Sequence, residues 1–401
     1  MERRVLLAAY KIARNKLSKC RQVDTYTCGH YHPHGECYGT IVQLVRQGFL
    51  DGQGNFGTNI GIEPVGAAAP RYTECRISPS TIDMAFKYIN FVPWLDTELE
   101  DKEPFHLPTM YPICLLGTDY TQGIGFGYKT YIPCYTIGDL CKRLFWLLGV
   151  RKTKPTIQPI TTCQITARSS DLEQLLTTGK AKIDVEGIVD VNVRNNTVKL
   201  KSWPPGKRFQ TILNKFSKEL SENMIGFSDL SVRETEIVFQ VMRERNRDKI
   251  FGEFVEKLKD ILKGSISFEI TTVDSNRRVT LSSVDDMLLN TFNMFTAVNE
   301  EMLRSEIEKT EDEISWLNTI EMIIPTLTMC LKNGYDVETS LDTIEKETPV
   351  TRQTAEELIN KYRIKKLLTF DTDNTALKQK LTELQSNFKN LTDFVLDQYK
   401  R

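Results

Sequence analysis

Apolar residues near the start of the chain recur every three or four positions, which is the spacing of one face of an α-helix. Arg3 to Leu17 carries such a stripe with basic residues between its members, and this pattern predicts a basic amphipathic helix. Tyr38 to Phe49 repeats the spacing and predicts a second helix. Two short helices in this order are typical of the helix-turn-helix half of a winged-helix module.

From about residue 151 the pattern changes to alternation of apolar and polar residues, which indicates β-strands. Val189, Val191 and Val193 alternate with polar residues, Asn195 and Asn196 supply a turn, and a hairpin is predicted. A second hairpin is predicted around residues 274–276. Two helices are predicted between the two hairpins. The apolar positions are Phe209, Ile212, Leu213, Phe216 and Leu220 for the first helix, Ile250, Phe254, Leu258 and Ile261 for the second, and Phe268, Ile270, Val279 and Leu281 for the hairpin.

The last third of the chain has the heptad spacing of a coiled coil. Its apolar positions are Leu288, Thr291, Phe295, Val298 and Met302, then Leu377, Leu381, Leu384, Phe388, Leu391 and Val395. Two antiparallel helices packed along this stripe are predicted, the first reaching roughly 60 Å at 1.5 Å per residue. An ordinary helical bundle is the alternative. Pro325 and Pro349 are expected to bracket a helical connection from Leu327 to about Lys366.

Length and charge refine this picture. A chain of 401 residues is too long for one ordinary core, so two or three units are expected. Residues 301–401 hold 14 basic and 19 acidic side chains, which leaves 38 and 34 of the totals of 52 and 53 for residues 1–300. Any contacts with phosphate groups are therefore expected in the first part of the chain.

Cysteine usage and hydropathy suggest a compartment. The nine cysteines are scattered, no secretory signal opens the chain, and no apolar run approaches the ~20 residues that would span a bilayer. An intracellular, reduced and cytoplasmic protein with no membrane partner is expected.

The segment that contains three of the four histidines also has the residue types of a metal site. Cys28, His30, His32, His34 and Cys37 are zinc-type ligands within ten positions. In an extended segment, however, alternate side chains point to two faces, and no second CxxC pair follows. The histidines are preferred as neighbours of a phosphate and a tyrosine, and no metal site is predicted in this chain.

Two glycine-rich segments bear on nucleotide binding. The sequence DGQGNFG at Asp51 to Gly57 is not followed by Gly-Lys-Ser/Thr, so a nucleotide P-loop is not favoured, and a tight turn that approaches a ligand fits better. The sequence GIGFG from Gly123 to Gly127 has the wrong spacing for a dinucleotide fingerprint, and no long helix follows it directly.

Tyr72 and the preceding Arg71 are the candidate reactive pair. A phenol has an ordinary pKa near ~10 and needs an activating neighbour to act as a nucleophile at neutral pH. The guanidinium of Arg71 can hold two phosphate oxygens and neutralise charge that grows in a transition state. The alternative is an ordinary half-buried tyrosine at a strand edge.

Three segments in close order, YHPHGE, LDGQGNFG and AAAPRYTE, resemble the DNA breakage and rejoining subunit of type IIA DNA topoisomerases. The family includes the A subunit of gyrase, its topoisomerase IV counterpart and the phage-encoded medium subunit. In its compact build the chain is most similar to the phage subunits. Family members usually extend further before the position of Glu2, so a truncated or divergent form is expected.

The resemblance implies an α+β multidomain fold. A winged-helix DNA-cleavage domain is expected over residues 1–150, an α+β tower domain over 151–283, and a long antiparallel coiled coil over 284–401 with a helical dimer-gate head at about 325–370. Within the first domain, Ile124 falls on the position of the family's wedge between base pairs, and a plain strand residue is the alternative. Basic tower residues either extend the DNA track or form a solvated face. These residues are Lys180, Lys182, Lys199, Lys201, Lys207 and Arg208.

The resemblance also implies a function and a set of partners. Tyr72 is expected to make a transient 5′-phosphotyrosyl double-strand break in DNA for strand passage, with relaxation or decatenation as the outcome. The residues expected to bind DNA or support the transition state are His32, His34, Arg3, Arg4, Gln53, Asn55 and Ile124. The expected partners are double-stranded DNA, a second copy related by a two-fold axis, and a partner subunit that carries ATP and most ligands of Mg²⁺. The competing hypothesis is a non-catalytic dimeric winged-helix protein that bridges DNA.

Overall fold

The computed structural model describes residues 1–125, 127–222, 224–242, 247–273, 278–362, 367 and 372–400. These residues form a mixed α+β fold with several small sheets and one long helix. They divide into two compact units, Met1–Phe295 and Thr296–Arg401.

The first unit begins with three helices and a small antiparallel sheet. The helices are α1 Glu2–Ile12, α2 Cys20–His30 and α3 Tyr38–Arg46, and the strands are β1 Ser18–Lys19, β2 Leu50–Gln53 and β3 Glu74–Ile77, in the order β1-β3-β2. Helix α1 buries Val5, Leu6 and Ala9 completely, which fixes the helices around a shared apolar centre.

Two predictions about this region need correction. The first helix ends at Ile12 and does not continue to Leu17, because the backbone leaves the helical region at Ala13 and Leu17 is exposed. The segment from Cys28 to His34 is not extended, because its first residues form the last turn of α2 and a turn follows. The alternation argument used against a metal site therefore does not apply.

The middle of the chain supplies two larger sheets and the helices that cover them. The elements are α4 Pro79–Ala85, β4 Trp94–Asp96, β5 Lys102–Pro104, β6 Tyr120–Gly125, β7 Tyr128–Pro133, α5 Ile137–Leu147, β8 Gln164–Ile165, α6 Ser169–Thr178, β9 Lys180–Glu186, β10 Val189–Asn192, β11 Thr197–Leu200, α7 Phe209–Asn214, α8 Ser217–Ser221, β12 Ile225–Asp229, β13 Ile237–Val241, α9 Arg247–Ile261, β14 Lys263–Glu269, β15 Thr271–Val273 and β16 Val279–Leu281.

One antiparallel sheet has the order β6-β7-β14-β9-β8. It joins strands from both sides of residue 150, where the first domain boundary is predicted; that boundary remains a sequence prediction. Ile183, Ile266 and Phe268 are buried on the side of the sheet that packs against α6. The tip of the β6–β7 hairpin contains Phe126, which lies outside the described residues.

The other antiparallel sheet has the order β10-β11-β13-β12 and is covered by α7, α8 and α9. The predicted β10–β11 hairpin is confirmed, with Val191 opposite Val198. The helix predicted around Phe209 to Leu220 is split into α7 and α8. The second predicted hairpin is shorter than expected, because Phe268 belongs to β14 and pairs with Ala181 of β9. Its strands are β15 and β16, and its turn residues 274–276 lie outside the described residues.

Helix α10, Val284–Lys332, has 49 residues and contains Pro325. The expectation that Pro325 ends this helix is wrong. A proline removes one backbone donor and kinks or weakens a helix, and here the helix continues because Ile323 and Leu327 on either side are buried in a core. One 18-residue window of α10 is long and apolar enough to cross a membrane, with mean hydropathy 1.3; a single such helix is weak evidence for a membrane span.

The second unit pairs the later part of α10 with the C-terminal helices. These are α11 Val337–Glu347, α12 Arg352–Tyr362, α13 Thr375–Lys389 and α14 Leu391–Lys400. Three contacts show that α10 and the C-terminal helices pack antiparallel, because the residue number falls along α10 as it rises along its partner. Asn374 donates to Asn318, the Arg304 guanidinium lies over Phe388, and Gln398 donates to Asn299. The predicted stripe on α13 is half-buried.

The end of this helical arm carries a small core of its own. Ile320, Ile323 and Leu327 pack with Leu341, Ile344 and residues of α12. Parts of the predicted head, including Ile364 to Lys366 and residues 368–370, lie outside the described residues.

Candidate active site

Tyr72 lies on an exposed loop that leads into β3. Its side chain is 65% exposed, and the Arg71 guanidinium lies 4.7 Å from the centre of its ring. The Tyr72 N–H donates to the Ala69 carbonyl at 2.9 Å, which closes a turn. The pair therefore stands on the surface, where a large ligand can reach both side chains.

The ends of this loop are tied to α2 and α3. The Cys20 N–H donates to the Thr73 carbonyl at 3.0 Å, and the Arg21 N–H donates to the Pro70 carbonyl at 3.1 Å. The Tyr38 hydroxyl lies 2.6 Å from the Ala68 carbonyl, to which it donates. The first N–H groups of a helix need partners outside it, so the start of α2 and the loop satisfy each other.

The DGQGNFG segment packs against the same loop. The Ala68 N–H donates to the Asn55 carbonyl at 2.9 Å, and the Asn55 side chain accepts from the Gly57 N–H at 2.8 Å. Gly57 has a φ of +75°, which favours glycine. Gln53 is exposed and lies opposite Glu74 at the end of β2. Asn55 therefore shapes the tyrosine loop, and both Asn55 and Gln53 are exposed.

His32 belongs to a network of arginine and glutamate. The carboxylate of Glu103 accepts two hydrogen bonds from Arg4, both at 2.8 Å, and forms an ion pair with Arg3 at 3.0 Å. Arg4 Nη1 lies 3.3 Å from His32 Nδ1. Because an arginine can only donate, Nδ1 of His32 accepts and the neutral ring carries its proton on Nε2.

The charges of this network reinforce one another. The pKa of His32 is lowered by burial and by the neighbouring Arg4 and His34. Although burial alone would raise it, the pKa of Glu103 is lowered because Arg4 and Arg3 donate to the carboxylate. The neutral form of His32 is thus favoured beside the Arg4 guanidinium.

The other two histidines of the cluster have different partners. His34 lies 3.6 Å from the Glu98 carboxylate and is exposed. His30 Nδ1 lies 2.6 Å from Asp101, and the Tyr26 ring stacks on His30 at 3.9 Å. The structure therefore joins His32 to Arg3 and Arg4 but places His30 in a separate pair.

Ile124 is 81% exposed near the end of β6, opposite Lys129 on β7. Because the Ile124 side chain is so exposed, Ile124 is not a plain core residue of the strand.

Four of the six basic residues that are predicted to extend the DNA track already have partners. Lys180, Lys199 and Lys201 form ion pairs with Glu269, Glu236 and Asp190 at 2.9, 2.7 and 2.6 Å. Lys207 donates to two backbone carbonyls. These contacts reduce the positive charge that this face offers, and the predicted DNA track there stays a prediction.

Across the described ranges, one group of three or more potential metal ligands converges, and it consists of Asp24, Cys28 and Cys37. The set of two sulfurs and one oxygen does not suit Mg²⁺, which prefers oxygen ligands. Neither His32 nor His34 belongs to it.

Glu103 and Tyr38 support this site, and neither is predicted to do so from the sequence. Glu103 is 71 positions from His32 along the chain, and only folding brings them together. A buried carboxylate is unusual without a cation, but nothing in the sequence indicates that Glu103 is buried. Tyr38 is predicted only as part of an amphipathic helix, and its polar hydroxyl gives no sign of its target.

The fold and the site define an α+β protein that presents a tyrosine–arginine pair on an exposed, well-anchored loop, and the same unit holds a histidine in contact with Arg4. Comparison with known families matches the model of the DNA gyrase/topoisomerase IV A subunit over residues 1–400. The chain belongs to this family. Membership does not favour the non-catalytic DNA-bridging hypothesis.

Curated relatives agree. The chain is 30% identical over 217 residues to the DNA gyrase A subunit of Mycolicibacterium smegmatis, which covers 48% of this chain and 24% of the relative. It is 28% identical over 260 residues to that of Lawsonia intracellularis, covering 57% and 30%. It is 26% identical over 309 residues to that of Chlamydia pneumoniae, covering 70% and 36%. The matched part spans about a quarter to a third of the length of these relatives.

Proposed function

We propose that this chain is the DNA-cleaving and religating subunit of an ATP-dependent type IIA DNA topoisomerase. The observation that carries the proposal is the exposed Tyr72 with Arg71 at 4.7 Å, on a loop held by α2 and α3. Membership of the family of gyrase and topoisomerase IV A subunits supports it. The phenol is the nucleophile, and the guanidinium stabilises charge on the phosphate.

The proposed step conserves the phosphodiester energy. Tyr72 loses its phenolic proton, and its oxygen forms a bond to a backbone phosphorus as the bond to the 3′ oxygen breaks and that oxygen takes up a proton. The 5′ end is then joined to Tyr72 as a phosphotyrosine ester. Attack by the 3′ hydroxyl on this ester reverses the step and reseals the strand.

The network around Glu103 gives His32 a defined part in this proposal. Because its Nδ1 accepts from Arg4, His32 offers only an Nε2–H, which can donate to a phosphate oxygen but cannot remove a proton from Tyr72. His32 and Arg4 therefore orient the phosphate. We propose the same orienting role for Arg3 and His34, and DNA contact for Gln53 and Asn55.

The remaining parts are proposed to come from partners. Because type IIA topoisomerases use Mg²⁺ and ATP, we assign most Mg²⁺ ligands and the ATP site to a partner subunit, as the family resemblance implies. Two copies related by a two-fold axis would cut opposite strands so that another duplex can pass, with relaxation or decatenation as the result. Such a complex would work in the cytoplasm, where the DNA is.

Regional roles follow the predicted boundaries. Residues 1–150 would form the winged-helix cleavage domain, supported by three helices and a three-stranded antiparallel sheet in the chain order α1-β1-α2-α3-β2-β3. Residues 151–283 would form the tower, and 284–401 the coiled-coil arm with a dimerisation head at about 325–370. Ile124 would insert between base pairs and bend the duplex.

The test is a covalent trapping experiment with the full chain, its metal-bearing partner subunit, magnesium and a duplex labelled at one 3′ end. After denaturation, the 3′ label should migrate with wild-type protein, whereas a 5′ label should not, because the ester is formed with the 5′ end of the downstream fragment. Tyr72→Phe lacks the nucleophilic oxygen and should form no adduct.

The matched control is Tyr335→Phe, which changes another exposed tyrosine in a part of the chain with no proposed DNA contact. It should retain adduct formation. Absence of adduct from wild type would refute the proposed enzyme, and an adduct with Tyr72→Phe would remove Tyr72 from the role.

A further inference from the structure

We propose that Asp24, Cys28 and Cys37, together with the backbone carbonyl of Gly35, form a binding site for a thiophilic divalent metal such as Zn²⁺. The side chains come from the middle and the last turn of α2 and from the residue just before α3. The site would be structural, because it joins the two helices across the turn that carries His32 and His34. It does not depend on the proposed DNA cleavage.

The donor atoms have the separation that a tetrahedral ion requires. The two sulfurs lie 3.6 Å apart, and Asp24 Oδ1 lies 3.9 Å from the Cys28 sulfur. All three donors lie within 4.8 Å of one another. With Zn–S bonds of about 2.3 Å, two sulfurs of a tetrahedral site are about 3.8 Å apart.

A fourth donor is already in place. The Gly35 carbonyl oxygen lies 2.9 Å from the Cys28 sulfur and 3.7 Å from the Cys37 sulfur. Both sulfurs therefore lie close to one oxygen, which would move roughly 0.7 Å away from the Cys28 sulfur to reach the sulfur–oxygen separation of a tetrahedral ion. Gly35 itself has a φ of +121°, a backbone conformation that turns this segment back towards the cysteines.

The surrounding charge suits a metal with two thiolates and a carboxylate, a group with a net charge of about −1. Arg21 Nη1 lies 3.4 Å from Asp24 and compensates part of that charge, although its shorter contact is with Glu36 at 2.8 Å. Cys37 is the N-cap residue of α3, where the helix dipole favours a thiolate. Its N–H donates to Asp24 Oδ1 at 2.7 Å and fixes the carboxylate, as outer partners of metal ligands commonly do.

The free thiols are poor ligands until a metal displaces their protons. Binding would release one proton from each thiol to solvent and form two metal–sulfur bonds, so affinity should increase with pH. The histidines that lie between these cysteines in the sequence take no part, since His32 contacts Arg4 and His30 contacts Asp101.

The test uses the full chain with Co²⁺ as the probe, under reducing conditions. Wild type should bind about one Co²⁺ per chain and show both sulfur-to-cobalt charge-transfer absorption and intense visible bands of tetrahedral coordination. Zn²⁺ should bleach these bands by displacement. Cys28→Ser, at a half-exposed position, and Cys37→Ser should each lose the charge-transfer absorption, and Asp24→Asn should weaken binding about tenfold or more.

Two control variants make the assignment specific. Cys141→Ser changes a cysteine elsewhere in the unit and should bind Co²⁺ like wild type, and so should His34→Ala. Circular dichroism of each variant establishes that it is folded. The proposal would be overturned if wild type showed no sulfur-to-cobalt absorption or if His34→Ala lost the bands. It would also be overturned if Cys28 and Cys37 were found joined as a disulfide in protein kept under the same reducing conditions.

Discussion

At the scale of single residues, Glu103 decides how the cationic side chains of the site are arranged. It binds Arg4 through both carboxylate oxygens and also pairs with Arg3, so two arginines that would repel each other are held side by side. Arg4 in turn fixes the proton position of His32. A carboxylate that touches no substrate therefore positions groups that are proposed to do so.

Replacing Glu103 with Gln should lower the rate of adduct formation about tenfold. Arg3, Arg4 and His32 would no longer be held in place, and small displacements of positioning groups slow reactions by about this factor or more. The proton of His32 should also redistribute between Nδ1 and Nε2, which nitrogen-15 chemical shifts of the imidazole report directly. Glu63→Gln, at an exposed position, is the control and should change neither quantity. An unchanged His32 spectrum in Glu103→Gln would contradict the positioning role.

The buried ring of His106 leads us to expect that the protein is less stable at acidic pH. Both ring nitrogens are buried without a hydrogen-bond partner among the described residues, and burial, with Arg3, lowers the pKa of His106. Between the ordinary pKa near 6.5 and the lower folded-state value, the unfolded chain binds a proton that the folded chain does not. Stability should therefore fall as pH falls below about 6.5, by up to about 1.4 kcal/mol per pH unit for each such proton.

The measurement is the melting temperature of wild type and His106→Leu between pH 7.5 and 5.5. The decrease should be smaller in His106→Leu, which has no titrating group at this position. His32, whose pKa is lowered in the same sense, should account for part of what remains. Equal decreases in both proteins would exclude His106 as a source of the acid sensitivity.

At the scale of elements, the glycine-rich segment holds the tyrosine loop by close backbone contact. A Cβ atom added at Gly57 would lie 2.4 Å from the Val65 carbonyl oxygen and 2.4 Å from the Arg46 side chain. Only glycine fits at this point, because the φ of +75° and the neighbouring backbone both disfavour a side chain.

Gly57→Ala should lower the free energy of unfolding by about 3 kcal/mol, from backbone strain and from the clash. Gly149→Ala is a matched control, since Gly149 has a similar φ of +74° but nothing within 4 Å of its added Cβ, and it should cost about 1 kcal/mol. Urea unfolding of both variants gives the difference. Similar losses for the two would show that the segment does not pack as described.

The β6–β7 hairpin gives a second prediction at this scale. Ile124→Ala should leave stability unchanged, because the side chain is 81% exposed, and should reduce the bend of bound DNA and the yield of adduct. Val193→Ala, at a 71% exposed position near another hairpin turn, is the control. Fluorescence energy transfer between the ends of a labelled duplex measures the bend, and equal bends with wild type and Ile124→Ala would contradict the wedge.

At the scale of the whole molecule, the unit Met1–Phe295 is held partly by one buried cation. The Arg143 side chain is 0% exposed and binds Asp285 at 2.7 Å and Glu173 at 2.8 Å. It therefore connects α5, α6 and the first turn of α10. A buried arginine between two carboxylates fixes how these elements pack, since separating a buried carboxylate from its cation is strongly destabilising.

Arg143→Met should lower the free energy of unfolding by about 3 kcal/mol, because Asp285 loses its cation and Glu173 keeps only its ion pair with Lys154. Arg304→Met is the control: its ion pair with Glu300 is exposed, and its loss should cost at most about 1 kcal/mol. Urea unfolding followed by circular dichroism compares them. A small loss in Arg143→Met would mean that water reaches this network.

Much of the local structure follows from the sequence. The β10–β11 hairpin and helices α3, α7 and α9 fall close to the predicted positions, because alternation and helical spacing report which face of an element is buried. The predictions failed where position in the fold outweighed local pattern. Helix α2 has few apolar residues and is not predicted, and α10 continues through Pro325 because neighbouring residues are buried.

By itself the sequence determined the family and the candidate nucleophile, since the motifs around His32, Asp51 and Tyr72 are contiguous and each can be recognised without its surroundings. Only the tertiary structure decided which groups act together. The contacts of Glu103 with Arg4, of Tyr38 with the tyrosine loop and of Asp24 with Cys37 join residues up to about a hundred positions apart. Hydrogen bonds and ion pairs require contact within a few ångströms, and distance along a chain carries no information about such contacts until the chain has folded.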